Sequence, residues 1–262
     1  MPDGCYYITP LENPYFNMMF DEWLFDRLKT DSRSPRAVLR LYSWDTAAVT
    51  IGYNQNLEKA VDFTLLDNRI PVIRRITGGR AIYHDPSELT YTVLLDLGIF
   101  PPPMRTLSRT ARQISEAISD MLAVIGLKAI FAKSSERAFM ETTRARKKSC
   151  FDSVSRYEII SDGSKIAGGA QRRIGLALIQ QGSIKLNGIS RCDAIGQAVD
   201  GDEVSESNGG KIYTIGQIEG LFGQSFSEKF GINFRIEVIS KEIRGKIARG
   251  TAGFKEKCLK KR

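Results

Sequence analysis

The chain has 262 residues, 42% of them hydrophobic, which is enough for one large domain with a full core. No stretch approaches the ~20 consecutive apolar residues that span a bilayer. The N-terminus also lacks the basic start and apolar run of a signal peptide. We therefore expect a soluble cytoplasmic protein without a membrane partner. The net charge of +8 favours an acidic partner, either nucleic acid or an acidic protein.

The cysteines and the histidine argue against a metal site and a disulfide framework. Cys5, Cys150, Cys192 and Cys258 form no C-x-x-C pair and no close cluster. His84 is the only histidine, so a site built on several histidines is excluded. We expect no metal, and free thiols in a reducing compartment.

The first half of the chain predicts strands with helices between them. Asn13 and Pro14 mark a helix start, and apolar residues follow at helical spacing. A short helix is predicted from Asp62 to Asn68. The strongest helical pattern runs from Leu107 to Ile125 and stops at Gly126. Strands are predicted at 37–44, 47–53, 70–75 and 89–96.

The second half continues in the same way. Three strand-like segments cover residues 156–160, 164–169 and 176–186. Residues 208–223 are typical of a turn and a helix, and residues 234–249 of a strand followed by a helix end. Many short strands with a few helices predict an α+β fold, with residues 1–262 forming a single domain.

The segment RRITGGRAIYHD, residues 74–85, is the first candidate ligand site. Gly78 and Gly79 let the backbone approach a ligand closely and leave amide groups free to contact an anion or a carbonyl. Arg74 and Arg75 beside them are suited to holding a phosphate. The alternative is a tight hairpin with surface arginines. The segment matches neither the P-loop nor the dinucleotide-binding fingerprint.

Two further segments carry candidate reactive groups. Cys150 follows Lys147 and Lys148, whose charges favour the nucleophilic thiolate. Its alternative is a buried cysteine that acts as a small hydrophobic residue. In KIAGGAQ, Lys165 precedes small residues and is placed to direct an ammonium into a cleft. Its alternative is an exposed strand lysine before a bulge.

Together these segments resemble the biotin/lipoate protein ligase superfamily. Within it they are most similar to the cysteine-dependent octanoyl-[acyl carrier protein]:protein N-octanoyltransferases. The segments NMMFDEWL, RLYSW, TIGYNQ and IQQGSI fit the same resemblance, which covers about residues 13–186 and weakens over 187–262. The resemblance implies a mixed β-sheet flanked by helices.

The resemblance also implies the site residues. It gives catalytic roles to Cys150 and Lys165 and requires no cofactor. For His84, a structural hydrogen bond to backbone is the preferred alternative to proton transfer. The substrate-binding residues that it implies are Arg75, Thr77, Gly78, Gly79, Arg80, His84, Gly168, Gly169 and Ala170.

The implied reaction moves an octanoyl group from octanoyl-acyl carrier protein to a lysine of the glycine cleavage H protein or a lipoyl domain. Arg80 stands where ATP-dependent lipoate ligases have a third glycine, and Cys150 occupies the transferase cysteine position. Both residues disfavour the ligase alternative. An octanoyl amidotransferase acting between two lipoyl-type proteins stays open. A nucleic-acid binder is suggested by charge alone.

One residue departs from the pattern of the family. The family commonly has a serine in a KIAGSAQ-like motif, where this chain has Gly169. A hydrogen bond from that hydroxyl is therefore missing here.

Overall fold

Two β-sheets and five α-helices make up the described part of the chain. The computed structural model describes residues 3–131, 157–161, 164–187, 192–196 and 212–259. The helices are α1 (Pro14–Thr30), α2 (Leu57–Ala60), α3 (Leu107–Val124), α4 (Ile215–Phe230) and α5 (Lys241–Leu259). The strands are β1 (Asp3–Glu12), β2 (Ala37–Trp44), β3 (Ala48–Ile51), β4 (Val72–Arg74), β5 (Ile82–His84), β6 (Leu89–Asp96), β7 (Ile130–Phe131), β8 (Ile159–Ser161), β9 (Ser164–Ile174), β10 (Ala177–Ile184) and β11 (Asn233–Glu237).

The larger sheet has eight strands in the order β11-β1-β2-β6-β10-β9-β8-β7. Strand β1 runs parallel to both β11 and β2, and the other neighbours are antiparallel. The smaller sheet has the order β4-β3-β5, with β3 parallel to β4 and antiparallel to β5. The expected mixed sheet is therefore present.

Helices cover both faces of the larger sheet. On one face, Ile118 of α3 and Phe222 of α4 pack with Leu39 of β2. On the other face, Phe20 of α1 packs with Val38, the next residue of β2. Consecutive strand side chains point to opposite faces, and both faces are covered, so β2, β6 and β10 are buried along nearly their whole length. The prediction of an α+β fold with helices flanking a mixed sheet is confirmed.

Helix α1 begins at the predicted residue, and α3 begins and ends close to the predicted residues. The side chain of Asn13 accepts a hydrogen bond from the Tyr15 amide, and Pro14 occupies the first turn of α1. Helix α3 ends at Val124, and Gly126 then adopts a φ of +86°. Local capping signals thus determine these helix ends.

The helix predicted from Asp62 to Asn68 is wrong. The Asp62 carboxylate accepts a hydrogen bond from the Thr64 amide, and the Asp67 carboxylate accepts one from the Arg69 amide, each at 2.9 Å. These side-chain bonds form turns that compete with a helix. The short helix lies before them instead, at Leu57–Ala60.

The C-terminal region has a clearer structure than its sequence pattern suggested. The predicted strand and helix end over 234–249 is strand β11 followed by a helix of 19 residues, α5. Helix α5 packs mainly against α1 and β4. None of the helices in the described ranges is long and apolar enough to cross a membrane.

Candidate active site

A cavity of about 280 Å³ is lined by residues from both sheets and from α1. Its rim includes the exposed Gly79, Arg80 and Gly169. Its floor is formed by buried side chains, among them Trp44 and Met18. The cavity therefore runs from the surface into a mostly apolar interior.

Most of the predicted site residues meet at this cavity. Thr77 and Gly78 belong to the same loop as Gly79 but do not line the cavity. Cys150 lies outside the described residues, as does the basic segment 144–148, which contains Arg144, Arg146, Lys147 and Lys148. The predicted residues that line the cavity are Arg75, Gly79, Arg80, His84, Lys165, Gly168, Gly169 and Ala170.

The ammonium of Lys165 is a buried cation in the cavity wall. Lys165 is only 4% exposed and donates a hydrogen bond of 2.7 Å to the Glu158 carboxylate. Gly168 leaves room for this side chain, because a Cβ at that position would lie 2.7 Å from Cε and 3.1 Å from Nζ of Lys165. The ammonium of this pair can donate a hydrogen bond to a polar ligand group surrounded by apolar walls.

Arg75 holds the glycine loop, residues 75–81 between β4 and β5, in place. Its guanidinium donates to the carbonyl oxygens of Thr50, Gly78 and Arg80 at 2.7 to 3.1 Å. Arg74 likewise donates to three carbonyl oxygens of the segment that follows β3. The two arginines expected beside a phosphate thus contact the backbone and shape the loop.

The glycine loop needs glycine where the chain comes closest to itself. Gly79 has a φ of +88°, a conformation that side chains disfavour. A Cβ on Gly52 would lie 2.0 Å from the Gly79 carbonyl oxygen, so β3 and the loop could not both keep their positions. These close contacts bring the loop to the rim of the cavity.

His84 has a structural setting on the cavity floor. Its ring stacks on Trp44 with centroids 4.2 Å apart. Nδ1 lies 2.7 Å from the Glu88 carboxylate and Nε2 lies 2.7 Å from the Thr50 hydroxyl. A carboxylate only accepts, so Nδ1 carries the hydrogen and Nε2 accepts from Thr50. The partners are side chains, not the backbone group that the sequence suggested.

The surroundings of His84 favour its neutral form. Burial lowers the pKa of His84, although the adjacent Glu88 opposes this effect. Burial also disfavours the charge on Glu88, but His84 and Lys185 outweigh it and hold the pKa of Glu88 at about 2. A neutral imidazole with both nitrogens engaged orients the floor of the cavity and has no free position for proton transfer.

A buried polar chain beneath the cavity was not predicted. The Asp21 carboxylate accepts from Arg40 at 2.8 Å, from Thr92 at 2.6 Å and from Gln181 at 2.8 Å. The amide oxygen of Gln181 accepts from the Thr77 hydroxyl at 2.8 Å. The available signal was Arg40, a charged residue within the apolar strand AVLRLYSW, because a fully buried guanidinium needs acceptors.

Sequence comparison finds relatives named octanoyltransferase LipM. The Bacillus cereus protein is 35% identical over 184 residues, which covers 70% of this chain and 65% of that protein. The Bacillus subtilis protein is 36% identical over 177 residues, covering 67% of this chain and 62% of that protein. The Staphylococcus epidermidis protein is 29% identical over 256 residues, covering 90% of each. The matches to the two Bacillus proteins thus span less than two thirds of those proteins.

Solved structures with the same fold include a putative lipoate protein ligase from T. acidophilum with bound lipoic acid. It has a TM-score of 0.71 at 20% identity and covers 95% of both chains. Lipoate-protein ligase A bound with ATP has a TM-score of 0.68 at 20% identity, covering 96% of this chain and 94% of the other. These similarities establish the fold.

A protein-family model matches most of the chain. The model describes the lipoyl protein ligase A/B catalytic domain, and it matches residues 13–219. This range contains the glycine loop, Lys165 and every residue named above as lining the cavity. The chain therefore belongs to the lipoyl protein ligase A/B catalytic domain family.

Proposed function

We propose that this protein is an acyltransferase of lipoate biosynthesis. It transfers an octanoyl group from octanoyl-acyl carrier protein to a lysine of a lipoyl-type protein. The observation that carries the proposal is the mostly apolar cavity with the buried ammonium of Lys165 in its wall. The relatives named octanoyltransferase LipM support the same reaction.

The cavity suits a medium-length acyl chain with one polar end. An octanoyl tail has about seven CH₂ and CH₃ groups, and at ~0.8 kcal/mol for each buried group its burial contributes ~5 kcal/mol. The buried side chains of Met18, Tyr42 and Trp44 line the interior and suit such a tail. In this proposal the ammonium of Lys165 donates a hydrogen bond to the acyl carbonyl oxygen.

The reaction proceeds in two half-reactions through Cys150. Its thiolate attacks the carbonyl carbon of the donor thioester, the carrier sulfur departs, and a thioester forms on Cys150. The neutral amine of the acceptor lysine then attacks this thioester. An amide forms, Cys150 leaves as a thiolate, and the amine loses one proton. Thioester exchange is nearly thermoneutral and amide formation is favourable, so the reaction needs no ATP.

The acceptor in this proposal is the glycine cleavage H protein or a lipoyl domain. One neighbour in fold is described as a bi-partite lipoate protein ligase with its E2 lipoyl domain, which supports an acceptor of this type. The donor is an acidic carrier protein. The net charge of +8 supports attraction to such a partner.

Mass spectrometry of the intact protein tests the proposal. The protein is mixed with octanoyl-acyl carrier protein in the absence of ATP. We expect a gain of one octanoyl group that hydroxylamine removes and that Cys150→Ser abolishes. A triple substitution of Cys5, Cys192 and Cys258 is the matched control and should retain the adduct. Transfer that requires octanoate and ATP would identify a ligase instead.

The donor preference separates the two transferase classes. Octanoyl-acyl carrier protein and an octanoylated H protein are offered separately as donors to a lipoyl domain. We expect faster transfer from the carrier protein. A strong preference for the octanoylated H protein would identify an amidotransferase.

A further inference from the structure

Ser183 presents a buried hydroxyl to the cavity. It lies on β10, where it pairs with Thr90 of β6 and with Gly168 of β9. Directly paired residues share one face of a sheet, and all three line the cavity. Ser183 is 2% exposed, so its hydroxyl depends on the cavity for a partner.

The neighbouring hydroxyls have partners, whereas that of Ser183 has none among the described residues. Thr90 accepts from the Trp44 indole at 2.8 Å and donates to Glu88 at 2.9 Å. Thr50 lies between His84 and Arg75 and bonds both. Over the described ranges, no hydrogen bond to the Ser183 hydroxyl is formed. Because Ser183 lines the cavity, its hydroxyl is available to a polar group bound there.

The position of Ser183 places this hydroxyl near the ammonium of Lys165. Paired Cβ positions in an antiparallel sheet lie ≈ 4.5–5.5 Å apart. A Cβ on Gly168, opposite Ser183, would be 3.1 Å from Nζ of Lys165. The Ser183 Cβ is therefore at most roughly 9 Å from that nitrogen. Two hydrogen bonds to a single oxygen atom require donor atoms within about 6 Å of each other, a separation that lies inside this bound.

We propose that Ser183 is a second donor to the acyl carbonyl oxygen, beside Lys165. This role rests on the proposed transferase function. As the bond from the Cys150 sulfur to the carbonyl carbon forms, the π electron pair moves to oxygen, and the Ser183 O–H bonds that oxygen without giving up its proton. The pair returns when the bond from carbon to the carrier sulfur breaks. The octanoyl tail has no other polar atom for the hydroxyl to bind.

The rate of thioester formation on the enzyme tests this role. Acylation by octanoyl-acyl carrier protein is followed by rapid quenching and intact mass spectrometry. Removing one donor of this kind slows reactions ~10²–10³-fold in well-ordered sites. We expect Ser183→Ala to slow acylation at saturating donor by about 10- to 100-fold, with KM changed less than about twofold. Ser183→Thr keeps a hydroxyl and should recover most of the rate.

Ser34 provides a matched control. Its hydroxyl is buried, has no partner among the described residues and lies outside the cavity. Ser34→Ala should leave the acylation rate unchanged. Equal rates for Ser183→Ala and the wild type would overturn the role of Ser183, as would equal losses in the Ala and Thr variants. If the wild type forms no acyl adduct at all, the transferase proposal fails as well, so the two failures are distinguishable.

Discussion

The buried ion pair between Lys165 and Glu158 gives a substitution of Lys165 two separable effects. The side chains are 2% and 10% exposed, and their charged atoms lie 2.7 Å apart. Removing one partner of a buried pair costs about 3–5 kcal/mol, because the remaining charge stays in a poorly solvated place. We therefore expect Lys165→Met to reduce the free energy of unfolding by about that amount.

The same substitution removes the proposed donor to the acyl carbonyl oxygen. We expect the transfer rate to fall more than ~100-fold, which corresponds to ~2.7 kcal/mol of transition-state stabilisation. Lys165→Ala should lower the transfer rate to a similar extent. Lys165→Arg keeps the charge and most of the stability but should also be slow, because a planar guanidinium does not replace a compact ammonium.

A double substitution separates the two effects. Lys165→Met with Glu158→Gln replaces the ion pair by two neutral groups, so most of the lost stability should return while the activity stays low. Urea unfolding and a single-turnover transfer assay measure the two quantities on the same preparations. A double variant that regains activity together with stability would refute direct action of Lys165 on the acyl group.

Three further predictions use other features. Gly168→Ala should lower kcat at least ~10-fold and should also lower Tm, because its Cβ would displace Lys165 from its buried ion pair with Glu158; Gly220→Ala, where a Cβ meets no neighbour, is the control. Raising the salt concentration should increase KM several-fold for octanoyl-acyl carrier protein but not for octanoyl-CoA. Substituting Arg144 and Arg146 by glutamate should likewise weaken use of the carrier protein and not of octanoyl-CoA. His84 is the only histidine, and burial lowers its pKa from 6.5. Below pH 6.5 the unfolded chain therefore binds more protons than the folded chain. As the pH is lowered through this range, the free energy of unfolding should decrease by at most ~1.4 kcal/mol per pH unit, and His84→Gln should remove this dependence.

Local sequence patterns predicted the elements that carry their own signals. Helix α3 has apolar residues at helical spacing and a glycine after its end, and it lies where it was predicted. Gly79 and Lys165 were identified from short motifs, and both line the cavity. Such signals are readable because each depends on residues close together in the chain.

Contacts between distant segments could not be predicted. Gln181 bonds Asp21 across 160 positions, and nothing near either residue indicates the other. Glu158 was assigned only to a strand, although its carboxylate is a partner of Lys165. Strand β1 was not predicted. It pairs in parallel with β2, which follows helix α1, and with β11, which lies more than 200 residues later in the chain, so no hairpin turn marks either pairing.

The departure at Gly169 acquires a physical reason from its neighbours. A Cβ there would lie 2.8 Å from the Tyr91 hydroxyl and 2.8 Å from the side-chain nitrogen of Gln180. These two groups bond each other at 2.8 Å. The space that a serine side chain needs is thus filled by a tyrosine–glutamine pair. The missing hydroxyl is one part of a local arrangement and not an isolated loss.

The chain of buried polar groups explains how a surface loop is held against a core cavity. Asp21 of α1 anchors Arg40 of β2 and Gln181 of β10, and Gln181 in turn bonds Thr77 of the glycine loop. Each of these groups is buried, so a wrong loop position would leave a polar atom without its partner at a cost of about 1–3 kcal/mol. The loop position is therefore coupled to the packing of α1 on the sheet. Because Gly79 reaches the rim through this loop, the shape of the cavity depends on Asp21, Arg40 and Thr77, which do not line it.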